Sequence, residues 1–417
     1  MTEIEDRLAA LSPTQRRALL ARLGRAPSTA PAAPPITPRV REGDAVRLSA
    51  TQENMWFLEQ FHPGTTMHVM SGVARLPIDV PHDVFTDCLA EVIERHPVLR
   101  TRFGMEDGEP VARIAPAERP EVAFLDGIDE APMWARFDED ARTPFDIARA
   151  PLLRATLARS TSGGTWVQIT LHHMVADGYS TGILFAELGR LATGRLVGRL
   201  QQLPDVPFQY ADVALWEREH AEADADATDI AYWTERLADA PAALTLPTDR
   251  PRPARQGYRG RRTEFALSAE RAAAVRTFSA EHGVTPFVTV LCAYATVLSR
   301  WAAQDRVVVG VPVAQRSRPG TERVIGPFLN TLALPVTLGE DRTVKELLAQ
   351  VNAEVREGFA HQDARFDRVL SALDLGRDPA RPPLFQAILN MQEDRSAPRC
   401  SCATCTTAAP SSTSCST

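Results

Sequence analysis

One stretch in the first half of the chain combines a strand, a tight turn and the start of a helix: Val167-Gln168-Ile169-Thr170-Leu171-His172-His173-Met174-Val175-Ala176-Asp177-Gly178. Alternation along the strand separates an apolar face from a more polar one that ends at His172. If the strand continues to its end, His173 joins the apolar face, where burial leaves its pKa open to tuning. Asp177 is short enough to pair with an arginine or to cap the following helix, and Gly178 leaves room for a ligand.

A plainer interpretation of this stretch is a satisfied core histidine followed by an ordinary turn. A zinc site is disfavoured, because adjacent histidines on a strand point to opposite faces and no His-Glu-x-x-His helix accompanies them. We therefore expect no metal here. Deciding between a catalytic and a structural histidine needs the rest of the chain.

Strands and helices alternate on both sides of this stretch, which predicts an α/β fold. Apolar residues at helical spacing predict a helix over 85–93 that stops before Pro97, and Asp107-Gly108 predicts a hairpin. In the second half, Thr285-Pro286 opens a helix, and 307–311 and 332–336 have the pattern of strands. Two similarly built α/β halves that meet near residues 200–250 are the simplest architecture.

The chain divides into five predicted segments. Residues 1–25 have a helical pattern and residues 26–39 form a Pro/Ala-rich linker. The two halves span 40–205 and 206–392, and the last residues with clear strand character are 385–391. Residues 393–417 are rich in Ser, Thr and Cys and lack large apolar residues, so we expect them to be disordered. A cysteine knuckle through Cys400, Cys402 and Cys405 is the alternative.

Composition excludes several classes of protein. A net charge of −7 over 417 residues, without a cluster of basic and aromatic residues, gives no nucleic-acid footprint. No uninterrupted apolar run reaches the roughly 18 residues that a membrane span needs. The N-terminus lacks the apolar core of a signal peptide, so a cytoplasmic location is expected. Cys88 and Cys292 lie in apolar helical stretches and are expected to be buried thiols.

The segment His172-His173-x-x-x-Asp177-Gly178 resembles the defining motif of the condensation domains of nonribosomal peptide synthetases. Segments similar to the other motifs of that family follow the family's order, at 49–58, 95–103, 210–216, 325–331, 361–366 and 377–384. The lone His-x-x-x-Asp-Gly pattern is weak evidence, whereas seven motifs in order are strong. Pro97 and Arg365 stand where the family usually has glutamate and proline.

The resemblance implies two chloramphenicol-acetyltransferase-like lobes in a V-shaped pseudo-dimer, with an active site in a tunnel between them. The family continues after the position of residue 392 with a further strand and helix, which the polar tail does not resemble, so we expect the second lobe, 206–392, to be incomplete. His173 would be catalytic, either as general base on an acceptor amine or by positioning that amine and stabilising the charged intermediate. His172 and Gly178 would support it, and Asp177 would pair with Arg95 or Arg100. Ser180 and Asn330 are candidates for the tunnel lining.

The resemblance also implies the partners and the reaction. No cofactor is expected to bind directly, because phosphopantetheine arms of donor and acceptor carrier proteins, supplied by other chains, would present the substrates to a monomer. The leading function is amide formation between a tethered acyl or aminoacyl donor and an aminoacyl acceptor. Ester formation, epimerisation of a tethered aminoacyl group, and a truncated carrier-binding module without turnover are the alternatives.

Overall fold

The computed structural model describes residues 35–76, 78–199, 201–222, 226–254, 260–261, 263–339, 342–375, 378, 380–392 and 399–402. The predicted helical segment 1–25 and most of the predicted linker 26–39 lie outside the described residues. The linker residues that are described, 35–39, have no helix or strand.

Strands and helices alternate as the sequence predicts. The first half contains β1 Ala45–Arg47, α1 Ala50–Phe61, β2 Val69–Leu76, α2 His82–Arg95, β3 Thr101–Glu106, β4 Glu109–Ile114, β5 Val122–Ile128, α3 Glu130–Ala141, β6 Leu153–Ser160, β7 Thr165–His172 and α4 Gly178–Leu196. The second half contains α5 Tyr210–Glu222, α6 Ala227–Leu237, α7 Ala269–Glu281, α8 Pro286–Ala302, β8 Arg306–Ala314, β9 Leu329–Thr337, α9 Val344–Ala360 and α10 Phe366–Leu373, followed by β10 Arg399–Cys402.

A five-stranded sheet with the order β10-β2-β7-β6-β5 dominates the first half. Its central strand β7 runs antiparallel to both β2 and β6, and Val69 at the start of β2 lies opposite His172 at the end of β7. Both faces of β7 are buried, with Ile169 and Thr170 each at 0% exposure. The more polar face, which carries Gln168 and Thr170, is therefore buried like the apolar one, because elements cover this strand on both sides.

Local turn and cap signals place several elements correctly. The hairpin between β3 and β4 forms at Asp107 and Gly108, whose φ angles of 51° and 84° suit such a tight turn. Thr285 caps α8 through its side chain, and proline occupies the first helical position as predicted. The cysteines at 88 and 292 are buried thiols, also as predicted.

Strands β8 and β9 form an antiparallel pair in the second half. The prediction of a strand over 385–391 is wrong: this segment makes one isolated bridge, between Ile388 and Gly310 of β8. Gly310 donates to the carbonyl of Ala387 and accepts from the N–H of Leu389, both at 2.9 Å. Leu384 has a positive φ of 69° just before this segment, so the chain turns onto β8 and touches it only briefly.

Among the described residues, two large hydrophobic cores support the two halves, and a small third one packs α3 against the first sheet. The first is built mainly from residues 48–214, and the second runs from Trp233 to Ala387. The first core also takes in Val324, Ile325 and Phe328 from the second half of the chain. The segment 315–328 that links β8 to β9 is therefore part of the packing of the first lobe.

β10 pairs antiparallel with β2, at the edge of the first sheet. These four residues lie within the segment 393–417 that was predicted to be disordered, so that prediction is wrong for them. Residues 393–398 and 403–417 lie outside the described residues, and their disorder stays a prediction. Within the described part of the chain, no single helix is long and apolar enough to cross a membrane; only the bent pair α7 and α8 passes on length and composition.

Candidate functional site

The site is built where β7 ends and α4 begins. The strand stops at His172, and Val175 closes a turn by donating its N–H to the His172 carbonyl at 3.0 Å. Asp177 is the N-cap of α4 and accepts the N–H of Ser180 at 2.7 Å. The sequence thus folds here as strand, turn and capped helix, as its pattern predicts.

His173 is the first residue beyond the strand, not its last member. Its N–H donates to the main-chain carbonyl of His68 at 2.7 Å, which extends the pairing of β7 with β2 by one bond. The His173 side chain is partly exposed between buried neighbours. Its Nδ1 is buried and has no hydrogen-bond partner among the described residues. Burial lowers the pKa of His173 to about 4, although the nearby Asp177 carboxylate acts in the opposite direction. The imidazole is therefore neutral at pH 7.

His172 is held more tightly than His173. Its ring is 1% exposed, its Nδ1 accepts the N–H of Met174 at 3.2 Å, and its Nε2 lies 3.3 Å from Oε1 of Glu59. Burial lowers the pKa of His172, and the contact with Glu59 partly offsets that effect. These contacts hold the His172 ring inside the protein, and its role in supporting His173 stays a prediction.

Asp177 joins the two halves of the chain. Its carboxylate lies 3.1 and 3.2 Å from Nη2 of Arg316, and it accepts the N–H of Phe328 at 3.1 Å. The two side chains of this ion pair are 1% and 5% exposed. Burying a carboxylate is unfavourable unless donors surround it, and Ser180, Arg316 and Phe328 supply three.

The predicted partners of Asp177 are wrong. Arg95 is bound to Glu187 and to the carbonyl of Pro204, and Arg100 to Glu42 and the carbonyl of Ala115. Each guanidinium thus meets acceptors within the first half. The arginine that reaches Asp177 follows β8 and is 139 residues away in sequence, so no local signal marks it.

Arg316 is a hub of the segment 315–328. Its guanidinium lies over the rings of Tyr179 and Phe328, at 4.5 and 4.0 Å from their centroids. Nη1 donates to the carbonyls of Thr321 and Val324, each at 2.6 Å. Burial lowers the pKa of Arg316 and Asp177 opposes that effect, so the group stays charged at neutral pH.

Residues of two other motifs support the same turn. Ser49 and Gln52 form a capping box at the start of α1, and the Gln52 amide donates to the carbonyl of Met174 at 3.0 Å. Oγ of Ser49 lies 2.8 Å from the hydroxyl of Tyr210, the first residue of α5. The motif at 49–58 therefore contacts the loop that carries His173 through Gln52, and it contacts the motif at 210–216 through Ser49.

Ser180 and Asn330 are engaged with the protein backbone. Ser180 is fully buried, and its hydroxyl contacts the carbonyl and the N–H of Gly326 and Nη2 of Arg316. Asn330 donates to the carbonyls of 362 and 364 and accepts the N–H of Phe366. Both hold loops of the second half in place, and a role in lining a tunnel stays a prediction. Gly178 is exposed at the start of α4.

A third group of side chains, missed by the sequence analysis, lies directly behind His172. Glu59, His68 and His172 are all buried, and one ligand atom from each lies within 4.8 Å of the others. Among the described residues this is the set that could hold a metal ion. One signal was available: the polar residues Gln52 and Glu59 are seven apart on α1 and so share a helical face, and both are buried.

The comparisons with known proteins agree on one family. The sequence model of the condensation domain family matches residues 42–408 of this chain. The chain is 38% identical over 404 residues to phosphinothricin tripeptide synthetase PhsC of Streptomyces viridochromogenes, covering 95% of this chain and 37% of that protein. It is 36% identical over 363 residues to malpinin synthetase of Mortierella alpina, covering 86% of this chain and 5% of that protein.

Among solved structures, the X-domain from teicoplanin biosynthesis superposes with a TM-score of 0.77 at 26% identity, covering 88% of this chain and 84% of that chain. The fold is thus the chloramphenicol-acetyltransferase-like α/β fold of this group. The chain belongs to the condensation domain family of nonribosomal peptide synthetases. Membership of this family implies acyltransferase-type activity. The chain spans little more than a third of the length of PhsC and a much smaller part of malpinin synthetase.

Proposed function

We propose that this chain joins a donor acyl or aminoacyl group, held as a thioester on a carrier protein, to the amine of an aminoacyl group on a second carrier protein. The amine nitrogen attacks the thioester carbonyl, a C–N bond forms, the C–S bond breaks, and the thiol leaves with one proton. Membership of the condensation domain family, with His173 in the turn between β7 and α4, is the observation that carries the proposal. A neutral imidazole at this position offers a lone pair to an N–H at pH 7.

The position of His173 favours one of its two candidate roles. With a pKa of about 4, its imidazole is a weak base, and Nδ1 is buried. Such a ring is well suited to accept a hydrogen bond from the attacking amine and to stabilise the positive charge on nitrogen after attack. Complete removal of the proton in advance of attack would favour a higher pKa. We assign His173 the positioning and stabilising role.

The ion pair of Asp177 with Arg316 supports this role indirectly. Asp177 caps α4 four residues after His173 and ties that turn to the segment 315–328. These contacts hold the first lobe and the segment 315–328 together beside His173. The proposal also includes a V-shaped arrangement of the lobes with a tunnel between them, substrates carried on phosphopantetheine arms of carriers supplied by other chains, a monomeric state and a cytoplasmic location.

The test is a transfer assay with the full chain, a loaded donor carrier and an aminoacyl acceptor carrier, followed by intact-mass measurement of both carriers. His173→Ala is expected to lower transfer by about 10²–10³-fold, the range for loss of one group that stabilises charge in the transition state. His282→Ala is the matched control, because His282 lies on the surface at the end of α7. Thermal melts of both variants check that the fold is intact.

Other outcomes point elsewhere. Wild-type rates from a folded His173→Ala protein would remove His173 from the chemistry. Mass transfer to a hydroxyl acceptor indicates ester formation, and inversion of the tethered aminoacyl group indicates epimerisation. Binding of carriers without any of these reactions indicates a module without turnover.

A further inference from the structure

The cluster of Glu59, His68 and His172 touches the site but has no part in the chemistry described so far. α1 brings Glu59 over the ends of β2 and β7, where His68 precedes Val69 and His172 closes β7. Oε1 of Glu59 lies 2.8 Å from Nδ1 of His68 and 3.3 Å from Nε2 of His172. One carboxylate oxygen therefore contacts two histidine rings.

The protonation of the rings follows from their other neighbours. The main-chain N–H of Met174 donates to Nδ1 of His172, so that nitrogen carries no proton and Nε2 carries it. Burial raises the pKa of Glu59, but the bonds from His172 and His68 outweigh it and the pKa is lowered overall, so the carboxylate is ionised. An ionised carboxylate only accepts, so Nδ1 of His68 also carries its proton. Both rings donate to Glu59.

This pattern is unfavourable for a metal ion. A metal on Nε2 of His172 needs that nitrogen without its proton, which moves the proton to Nδ1, where it would face the N–H of Met174. The three donor atoms suit a metal in number, but the hydrogen bond from Met174 selects the tautomer that donates to a carboxylate.

The cluster is connected to His173 through the main chain. The carbonyl of His68 accepts the N–H of His173 at 2.7 Å, and the ring of His68 is fixed by Glu59. We propose that Glu59 and His68 are positioning residues: Glu59 clamps the rings of His68 and His172 together, and this clamp holds the main chain of His173 in place. The inference rests on the proposed function for its kinetic readout but not for its structural one.

The test compares Glu59→Ala and Glu59→Gln in the full chain. Glu59→Ala is expected to lower kcat of transfer by about 10²-fold with KM unchanged, because small displacements of a reacting group have effects of that size. Glu59→Gln is expected to keep most of kcat, since its amide oxygen can accept both ring N–H groups. Glu53→Ala is the control: Glu53 lies on the same helix and pairs with Arg218 away from the cluster.

Two further measurements do not need turnover. NMR of ¹⁵N-labelled histidines in the wild type should show His172 protonated on Nε2 and His68 on Nδ1. Amide hydrogen exchange of His173 should accelerate in Glu59→Ala and stay unchanged in Glu53→Ala. If the wild type transfers nothing, the proposed function fails while these two results still decide the clamp.

Several results would overturn the clamp. They are unchanged kcat and unchanged His173 exchange in a folded Glu59→Ala protein, a Glu59→Gln variant as impaired as Glu59→Ala, or His172 without a proton on Nε2. Stoichiometric zinc in the purified protein, lost in Glu59→Ala, would establish a metal site instead.

Discussion

Replacing Asp177 with asparagine is the sharpest test of the link between the lobes. The carboxylate is 1% exposed and accepts from Ser180, Arg316 and Phe328. In the variant one oxygen remains, and the new amide N–H groups face donors, while the charge of Arg316 stays buried without its partner. Loss of one member of such a pair typically costs about 3–5 kcal/mol. The two lobes share packing and are expected to unfold as one unit of about 350 residues, for which about 0.7 kcal/mol shifts the melting temperature by 1 °C, so it should fall by roughly 5 °C.

Differential scanning calorimetry at pH 7 measures the change, and Asp87→Asn supplies the matched control. Asp87 pairs with Arg119 on the surface, where the two side chains are 47% and 62% exposed. An exposed pair contributes about 0–1 kcal/mol, so this variant should melt close to the wild type. If Asp177→Asn melts with the control and only its transfer rate falls, then Asp177 acts in the chemistry and the structural argument fails.

Three more outcomes are expected. His173 has a pKa of about 4 against an ordinary 6.5, so the unfolded chain binds more protons than the folded one as the pH drops. The free energy of unfolding should therefore fall by about 2 kcal/mol between pH 7 and pH 5 because of this group, and His173→Ala should lack this loss in the same pH titration. Gly326→Ala places a methyl group against the ring of Tyr210 and should destabilise the fold in a urea melt, whereas Gly182→Ala, with nothing within 4 Å, should not. Asn330→Leu leaves three backbone groups of 362–366 without their hydrogen-bond partner, and each lost bond lowers the free energy of unfolding by about 1–3 kcal/mol. The variant should therefore have a lower melting temperature and be cleaved faster by proteases at that loop.

Local chemistry explains what the sequence predicted well. The alternation before His173, the capping ability of Asp177 and the turn at Asp107-Gly108 each depend on neighbours within a few positions, and all three elements form. The motif order also indicated the family, which the comparisons confirm. The exact end of β7, one residue before His173, depends on where pairing with β2 stops, and no residue in the motif marks it.

The long-range pairs were beyond sequence reasoning. Choosing Arg316 over Arg95 and Arg100 requires the path of the segment 315–328 across the first lobe, and every arginine has the same chemistry in sequence. His68 is a single histidine before a strand, and its contact with Glu59 follows from how α1 crosses the sheet. The segment 385–391 has strand composition, but only one of its residues bridges to β8.

The segment 315–328 also determines how the molecule unfolds and whether its two halves can fold separately. It is covalently part of the second half, yet Val324, Ile325 and Phe328 complete the first core, and Arg316 neutralises a carboxylate of the first lobe. Separating the chain at residue 205 would leave the first lobe with an apolar gap and a buried unpaired charge. The two lobes should therefore unfold in a single cooperative transition, and neither half should be recovered as a stable domain when it is produced alone.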